Sequence, residues 1–184
     1  MQAKTFGKLN IIVAVYGLKT ITEQIKSLVI DGKIQTLNFK VNNEVIEEDG
    51  WRGQRKSITI LYNYDGGDLQ VEAAKEGDIL VINPDKIKVQ RSINEDVTKG
   101  KSKLTIMAAS YGPHDVTDKI RDLIACNSLS FTTDNAVLGD TWNGVAKTLV
   151  LVPGFGDQVK GVKVFAEREF CDINLNETVT IGQE

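Results

Sequence analysis

Residues Leu9–Tyr16 (LNIIVAVY) form a run of apolar, mostly β-branched positions that stops at Gly17, and this pattern predicts a buried strand. Apolar residues then recur at Ile21, Ile25, Leu28 and Val29, the spacing of one helical face. Thr22 followed by Glu23 predicts the helix start, with the hydroxyl as N-cap and the carboxylate at the positive end of the helix dipole. So short a helix cannot stand alone and must pack on a sheet. The rest reads as strands: Ile34–Val41, Ser57–Tyr64, Val71–Ala74, and a closing pair, Ile79–Ile82 with Ile87–Val89. The turn NYDGGD at Asn63–Asp68 is a hairpin signal, because glycine adopts positive φ at little cost. A polar loop carrying Trp51 separates the second strand from the third.

The same pattern is then written again. Leu104–Gly112 (LTIMAASYG) repeats Leu9–Gly17, Thr117–Ile124 repeats the helix, and Trp142–Leu151 (WNGVAKTLVL) repeats Trp51–Ile60 (WRGQRKSITI). The second-copy strands fall at Leu129–Thr133, Thr148–Phe155, Val162–Ala166 and Phe170–Ile173 with Val179–Ile181, and Gly154–Asp157 supplies a hairpin turn. The offset is 111 − 16 = 95 at the tyrosines and 142 − 51 = 91 at the tryptophans, the difference being small deletions near Asp31–Gln35 and Asp49. A repeat this long defines two homologous domains rather than a solenoid of short units. The expected division is a first module over residues 1–92, a polar linker at 93–103 and a second module over 104–184. The expected fold class is all-β: two tandem small β-sandwich or barrel-like domains, each with one short helix.

The second copy carries Tyr111-Gly112, Asp115-Val116-Thr117, Asn135, Gly139-Asp140, Gly144 and Lys147; the first carries Tyr16-Gly17, Thr20-Ile21-Thr22, Asn43, Gly53, Lys56, Tyr62 and Glu76-Gly77. This set resembles a domain of unknown function similar to the carboxy-terminal domain of a mitochondrial J-domain co-chaperone, and the resemblance covers both modules. Its motifs are mostly turn and cap residues, so it implies a fold and says little about function. The chain departs from it where Gly50-Trp51 and Thr141-Trp142 replace a proline-bearing loop, at Pro153, and at Arg168 in place of a glycine.

Composition narrows the function classes. A formal charge of −3 with pI near 5.3 argues against nucleic acid, which calls for a basic face. No stretch approaches a membrane span, and the first ten residues hold no apolar signal core, so the expected location is cytoplasmic, or outside the cell by a route without a classical signal peptide. Cys126 and Cys171 lie in the second copy alone and read as free thiols.

Candidate chemistry is sparse. His114, the single histidine, sits in a glycine–proline turn and has Lys19 as its counterpart, so it reads as a surface residue. GxSxG, P-loop, HExxH and CxxC motifs are absent. Asp65 and Asp68 suit a hard cation, but the second copy keeps only Asp157 and lacks a DxDxDG loop, so no metal or cofactor is expected. The paired lysines Lys56 and Lys147 open a strand and read as snorkelling edge lysines against edge-to-edge pairing. The tryptophans are the sharper signal: each stands in a polar loop beside carboxylates and glycines. Two readings of the indoles stand. One is a plug over the end of a small sandwich. The other is an aromatic platform with polar neighbours, the kind of surface on which sugar rings stack. The second defines the candidate ligand residues Trp51, Trp142, Asn43, Asn135, Glu48, Asp49 and Asp140. The leading expectation is therefore a non-enzymatic, lectin-like carbohydrate-binding protein with one site per module. The alternative is a protein-interaction or assembly module without a small ligand. The partners are thus glycans or another protein.

Overall fold

The computed structural model describes residues 7–87, 103–155, 158–159 and 161–174. The protein is mostly β, in two similar halves. The first half runs β1 (Leu9–Tyr16), β2 (Lys19–Thr20), α1 (Thr22–Ser27), β3 (Leu37–Lys40), α2 (Asn43–Ile46), β4 (Ser57–Tyr64), β5 (Gln70–Lys75) and β6 (Ile79–Ile82), then a 3-10 turn at Pro84–Lys86. The second runs β7 (Leu104–Tyr111), β8 (His114–Asp115), α3 (Thr117–Asp122), β9 (Leu129–Thr132), α4 (Asn135–Leu138), β10 (Thr148–Phe155), β11 (Gln158–Val159), β12 (Lys163–Ala166) and β13 (Phe170–Ile173). Each half builds a main antiparallel sheet, β2-β1-β4-β5 in one and β8-β7-β10 with β12 and β11 on β10 in the other, and a small two-stranded sheet, β3-β6 or β9-β13. Among the described residues no helix is long and apolar enough to cross a membrane.

The central strands match the apolar runs residue for residue at Ser57–Tyr64 and Thr148–Phe155. They run apolar rather than alternating because both faces are covered. One face of each main sheet, with Tyr16, Ile58 and Ile60 in the first half and Tyr111, Leu149 and Leu151 in the second, packs under the helix and the small sheet. The opposite faces meet each other: Val13, Val15, Leu61 and Val71 pack with Ala108, Val150 and Val152 in one shared apolar layer. Inside that layer the hydroxyls of Thr59 and Ser110 hydrogen-bond at 2.6 Å. The two modules are joined by a sheet-to-sheet core as well as by the linker, which, from residue 93 to 102, lies outside the described residues.

A β-bulge makes the two-faced first strand possible. Ile11 pairs with Tyr62 and Val13 with Leu61, leaving Ile12 as the extra residue and exposed. The second copy repeats it at Met107, between Ile106–Pro153 and Ala108–Val152. The bulge turns the strand so that Leu9 and Ile11 serve the module core while Val13 and Val15 reach the shared layer. It also admits Pro153, which has no ladder donor to give. Arg121 reaches back with Nε to Ile106 O at 2.9 Å, at the start of the bulge.

Several local expectations change. Thr22 and Thr117 are not N-caps: the cap positions are Ile21 and Val116, without a side-chain bond. The threonine hydroxyls instead accept from Ala14 N at 3.1 Å and Ala109 N at 2.9 Å, tying each helix to its strand. Each half also gains a second short helix, α2 or α4, where the sequence reads as loop; Asn42 and Asp134 cap it by accepting from Val45 N and Val137 N. β6 pairs with β3 and β13 with β9. Of the partners expected for them, Ile87 follows the 3-10 turn and opens no strand, while 88–89 and 179–181 lie outside the described residues, as do two residues of the Gly154–Asp157 turn. Cys171 is buried where the first copy has Leu80, behaving as a small apolar side chain, and Cys126 is exposed.

The Thr59–Ser110 pair yields a double-mutant cycle. Thr59→Val or Ser110→Ala alone should cost about 1–3 kcal/mol, because each strands a hydroxyl in an apolar layer. The double variant should cost clearly less than the sum in urea unfolding; strict additivity would show that the hydroxyls are not coupled.

Candidate functional site

Several residues kept in both copies, the Tyr-Gly turn and the lysine after the tryptophan loop, converge on one place in each module. The β1–β2 turn carries Gly17 at φ 60°, and its N–H donates to Ser57 O at 3.0 Å; Gly112, at φ 56°, does the same to Thr148 O at 2.9 Å. The tryptophan loop lies directly on this turn. A Cβ on Gly50 would stand 1.7 Å from Tyr16 O, so only glycine fits there. The second copy has Thr141 at that position, and its hydroxyl donates to Tyr111 O at 2.8 Å.

Behind each loop a lysine is buried, Lys56 at 3% and Lys147 at 1% exposed. These are not the edge lysines the sequence reading expected. Lys56 Nζ lies 3.0 Å from Asp49 Oδ1, 3.4 Å from Glu76 Oε1 and 3.1 Å from Gln54 O, and 5.1 Å from the centre of the Tyr16 ring. Lys147 Nζ lies 3.1 Å from Asp140 Oδ1, 3.6 Å from Glu167 Oε2, 3.3 Å from Trp142 O and 2.9 Å from Val145 O, with the Tyr111 ring at 5.7 Å. A buried ammonium needs this many acceptors to offset its lost hydration. Its three protons are spoken for, so the cluster holds a loop rather than offering an amine for chemistry.

The tyrosines complete the arrangement. Tyr16 Oη donates to Glu76 Oε1 at 2.9 Å, and Tyr111 Oη to Asn135 Oδ1 at 3.1 Å. Burial first, then the neighbouring Glu76, pushes the Tyr16 hydroxyl well above its ordinary range; burial and Glu167 do the same for Tyr111. Asp49 moves the other way. The hydrogen bond from Lys56, helped by the Trp51 N–H, holds its carboxyl below the usual aspartate range.

The candidate ligand residues divide accordingly. Asp49 Oδ1 and Asp140 Oδ1 each hold a lysine and accept the N–H of the tryptophan two residues on, at 3.2 Å in both copies. Glu48 pairs with Lys19 at 2.7 Å. Asn135 is engaged by Tyr111, while Asn43 is exposed on α2. Trp142 is 8% exposed and is not an open platform: the Arg55 guanidinium and the Lys75 ammonium, both from the first module, lie 5.1 and 5.4 Å from its ring centre. It plugs the junction between modules. Trp51 is half-buried, and the counterparts of Arg55 and Lys75 on the other side are Ala146 (55 + 91) and Ala166 (75 + 91). Asp65, considered for a cation, accepts the N–H groups of Gly7 and Lys8 at 2.9 Å each. His114 is exposed.

Sequence reasoning singled out one carboxylate of each cluster and passed over Glu76, Glu167 and the two tyrosines. The signal that finds them is retention in both copies of a lysine, a tyrosine and two acids together. No family model, curated protein or solved structure matches the chain.

Two predictions follow from this geometry. Trp142→Ala should cost about 3–5 kcal/mol and Trp51→Ala distinctly less, measured by urea unfolding followed by circular dichroism; equal costs would contradict the difference in burial. Asp49 is held below its unfolded value, so its contribution to stability is complete above the ordinary aspartate range of about 3.9 and fades as pH falls from there through the folded-state value. Asp49→Asn should flatten the acid limb of stability against pH in that window, and an unchanged limb would remove Asp49 from the account.

Proposed function

We propose that this chain is a non-enzymatic binding protein that works through protein contacts, a protein-interaction or assembly module. The observation that carries this reading is a surface position repeated in both modules. Ile79 opens β6 and is 69% exposed; Phe170 opens β13 and is 61% exposed. They are counterparts, since 79 + 91 = 170. Single exposed apolar residues are ordinary on protein surfaces, but the same outward position carrying a large one twice calls for a contact. The carboxylates expected to take sugar hydroxyls are engaged by lysines, and one of the two indoles is sealed, which removes support from a site in each module.

Carbohydrate recognition stands as a second reading, at a single site. It is favoured by the half-buried Trp51 beside Leu18, which is exposed and whose N–H donates to Gly50 O at 3.1 Å.

Photo-crosslinking side chains placed at positions 79 and 170, in the native cell, should capture a protein, with no adduct at the exposed control position Asp31. Absence of adducts at both positions, together with a glycan-array signal that Trp51→Ala removes, would transfer the function to the carbohydrate reading.

A further inference from the structure

We infer that the occupant of these two surfaces is a second copy of this chain, docked head to tail, the small sheet of the first module on the small sheet of the second module of the next molecule. The inference rests on the protein-interaction reading and goes further by naming the partner.

The outward face of β3-β6 consists of Asn38 and Lys40 on β3 and Ile79 and Val81 on β6; the register sets Lys40 directly across from Ile79 and Asn38 across from Val81. The outward face of β9-β13 consists of Ser130 and Thr132 with Phe170 and Asp172; Thr132 lies across from Phe170 and Ser130 across from Asp172. The first face sets Ile79 and Val81 beside Asn38 and one cation, the second sets Phe170 among Ser130, Thr132 and one carboxylate, and the charges are opposite, Lys40 against Asp172. Neither has an ion-pair partner among the described residues.

This difference selects the pairing. A first-module face on another first-module face sets Lys40 against Lys40, and two second-module faces set Asp172 against Asp172. Only the mixed pairing brings Ile79 to Phe170 with a cation and a carboxylate in the same contact. The other charges beside the faces agree with it or are neutral to the choice. Asp78 and Glu169 carry the same sign at equivalent positions, and both are engaged by their own turns, accepting from Lys75 N at 3.3 Å and Ala166 N at 2.8 Å. Arg168, exposed before β13, stands where the first module has Gly77 and adds a cation that suits the Asp78 side of the next molecule.

Because the two faces differ, one contact leaves one face of each kind unfilled, and the geometry is heterologous: molecules add in a row rather than closing as a symmetric pair. Faces of four residues a strand pair are small beside a standard interface of about 800 Å² per partner, so each contact is weak and the array is concentration-dependent.

Sedimentation velocity of the intact chain up to about 1 mM should show an average mass that rises without levelling at twice the monomer, and that falls with added salt. Lys40→Asp and Asp172→Lys should each weaken association about tenfold or more, and the two exchanged together should recover it to within about threefold. Ile79→Ser should abolish it with the thermal midpoint unchanged, the side chain being exposed. A chain that stays monomeric at these concentrations, a plateau at the dimer, or an exchange variant that fails to recover would each overturn the head-to-tail pairing. Crosslinks from positions 79 and 170 to a different protein, with no self-association, would sink this inference and leave the protein-interaction reading standing.

Discussion

The chain depends on keeping a charged lysine inside each module. A buried ammonium is costly unless two carboxylates and the surrounding carbonyls accept its protons, and meeting that need fixes everything around it. Asp49 must come from the loop before the tryptophan, Glu76 from the turn after β5, and Tyr16 from the end of β1. Three segments distant in sequence are thereby fastened at one end of the sheet. The tryptophan loop cannot lift without taking Asp49 from the buried lysine, so it lies flat on the Tyr-Gly turn, with room for glycine alone at Gly50 in the first copy and with Thr141 bonding the tyrosine carbonyl in the second. Tyr16, Lys56 and Glu76, which looked like scattered turn and cap positions, are with Asp49 one object seen from its several contributing segments.

The arrangement also places the lysine where a loop-bound cation would otherwise sit. Two carboxylates and backbone carbonyls around one positive centre are the donor set of a hard metal ion. Here the ion is covalently attached to β4 or β10, present whenever the chain is folded and independent of any solute. The acids clustered near Trp51 and Trp142 therefore have a structural occupation, which bears on how any acidic loop beside an aromatic is read.

Much of the fold was legible. The mainly apolar runs at Ser57–Tyr64 and Thr148–Phe155 located the central strands without error in their bounds, because strands covered on both faces are apolar on both and admit only short hydroxyls such as Thr59 between them. The duplication was legible because the offset changes only from 95 to 91 across two small deletions, and the bulge residues Ile12 and Met107 keep the same 95-residue spacing as the tyrosines. What escaped was non-local. The short helices at Asn43–Ile46 and Asn135–Leu138 span a single turn, too short for periodicity to register, and only their caps at Asn42 and Asp134 announce them. The pairing of β6 with β3 joins residues some forty apart, and no local pattern encodes it. In the site, the tryptophans and aspartates were visible as residue types, but the burial of Lys56 and Lys147 was not, since a lysine opening a strand usually lies at the surface.

The layer between the two main sheets carries a consequence of its own for a chain built by duplication. Two nearly equivalent modules in one polypeptide face a problem of recognition: during synthesis, the inner face of a first module could close on the same face of a neighbouring chain's first module. The copies differ on that face. Ser110 stands where the first copy has Val15 (110 − 95), and Thr59 where the second has Val150 (59 + 91). A homotypic closure of the same geometry would therefore set Thr59 against Val15, or Ser110 against Val150, with a hydroxyl left bare in oil. It would also present Arg55 and Lys75 to the Trp51 of an identical module that carries the same two cations. Thr59 with Ser110, and Trp142 with Arg55 and Lys75, make the two halves a left and a right hand that close on each other within one molecule.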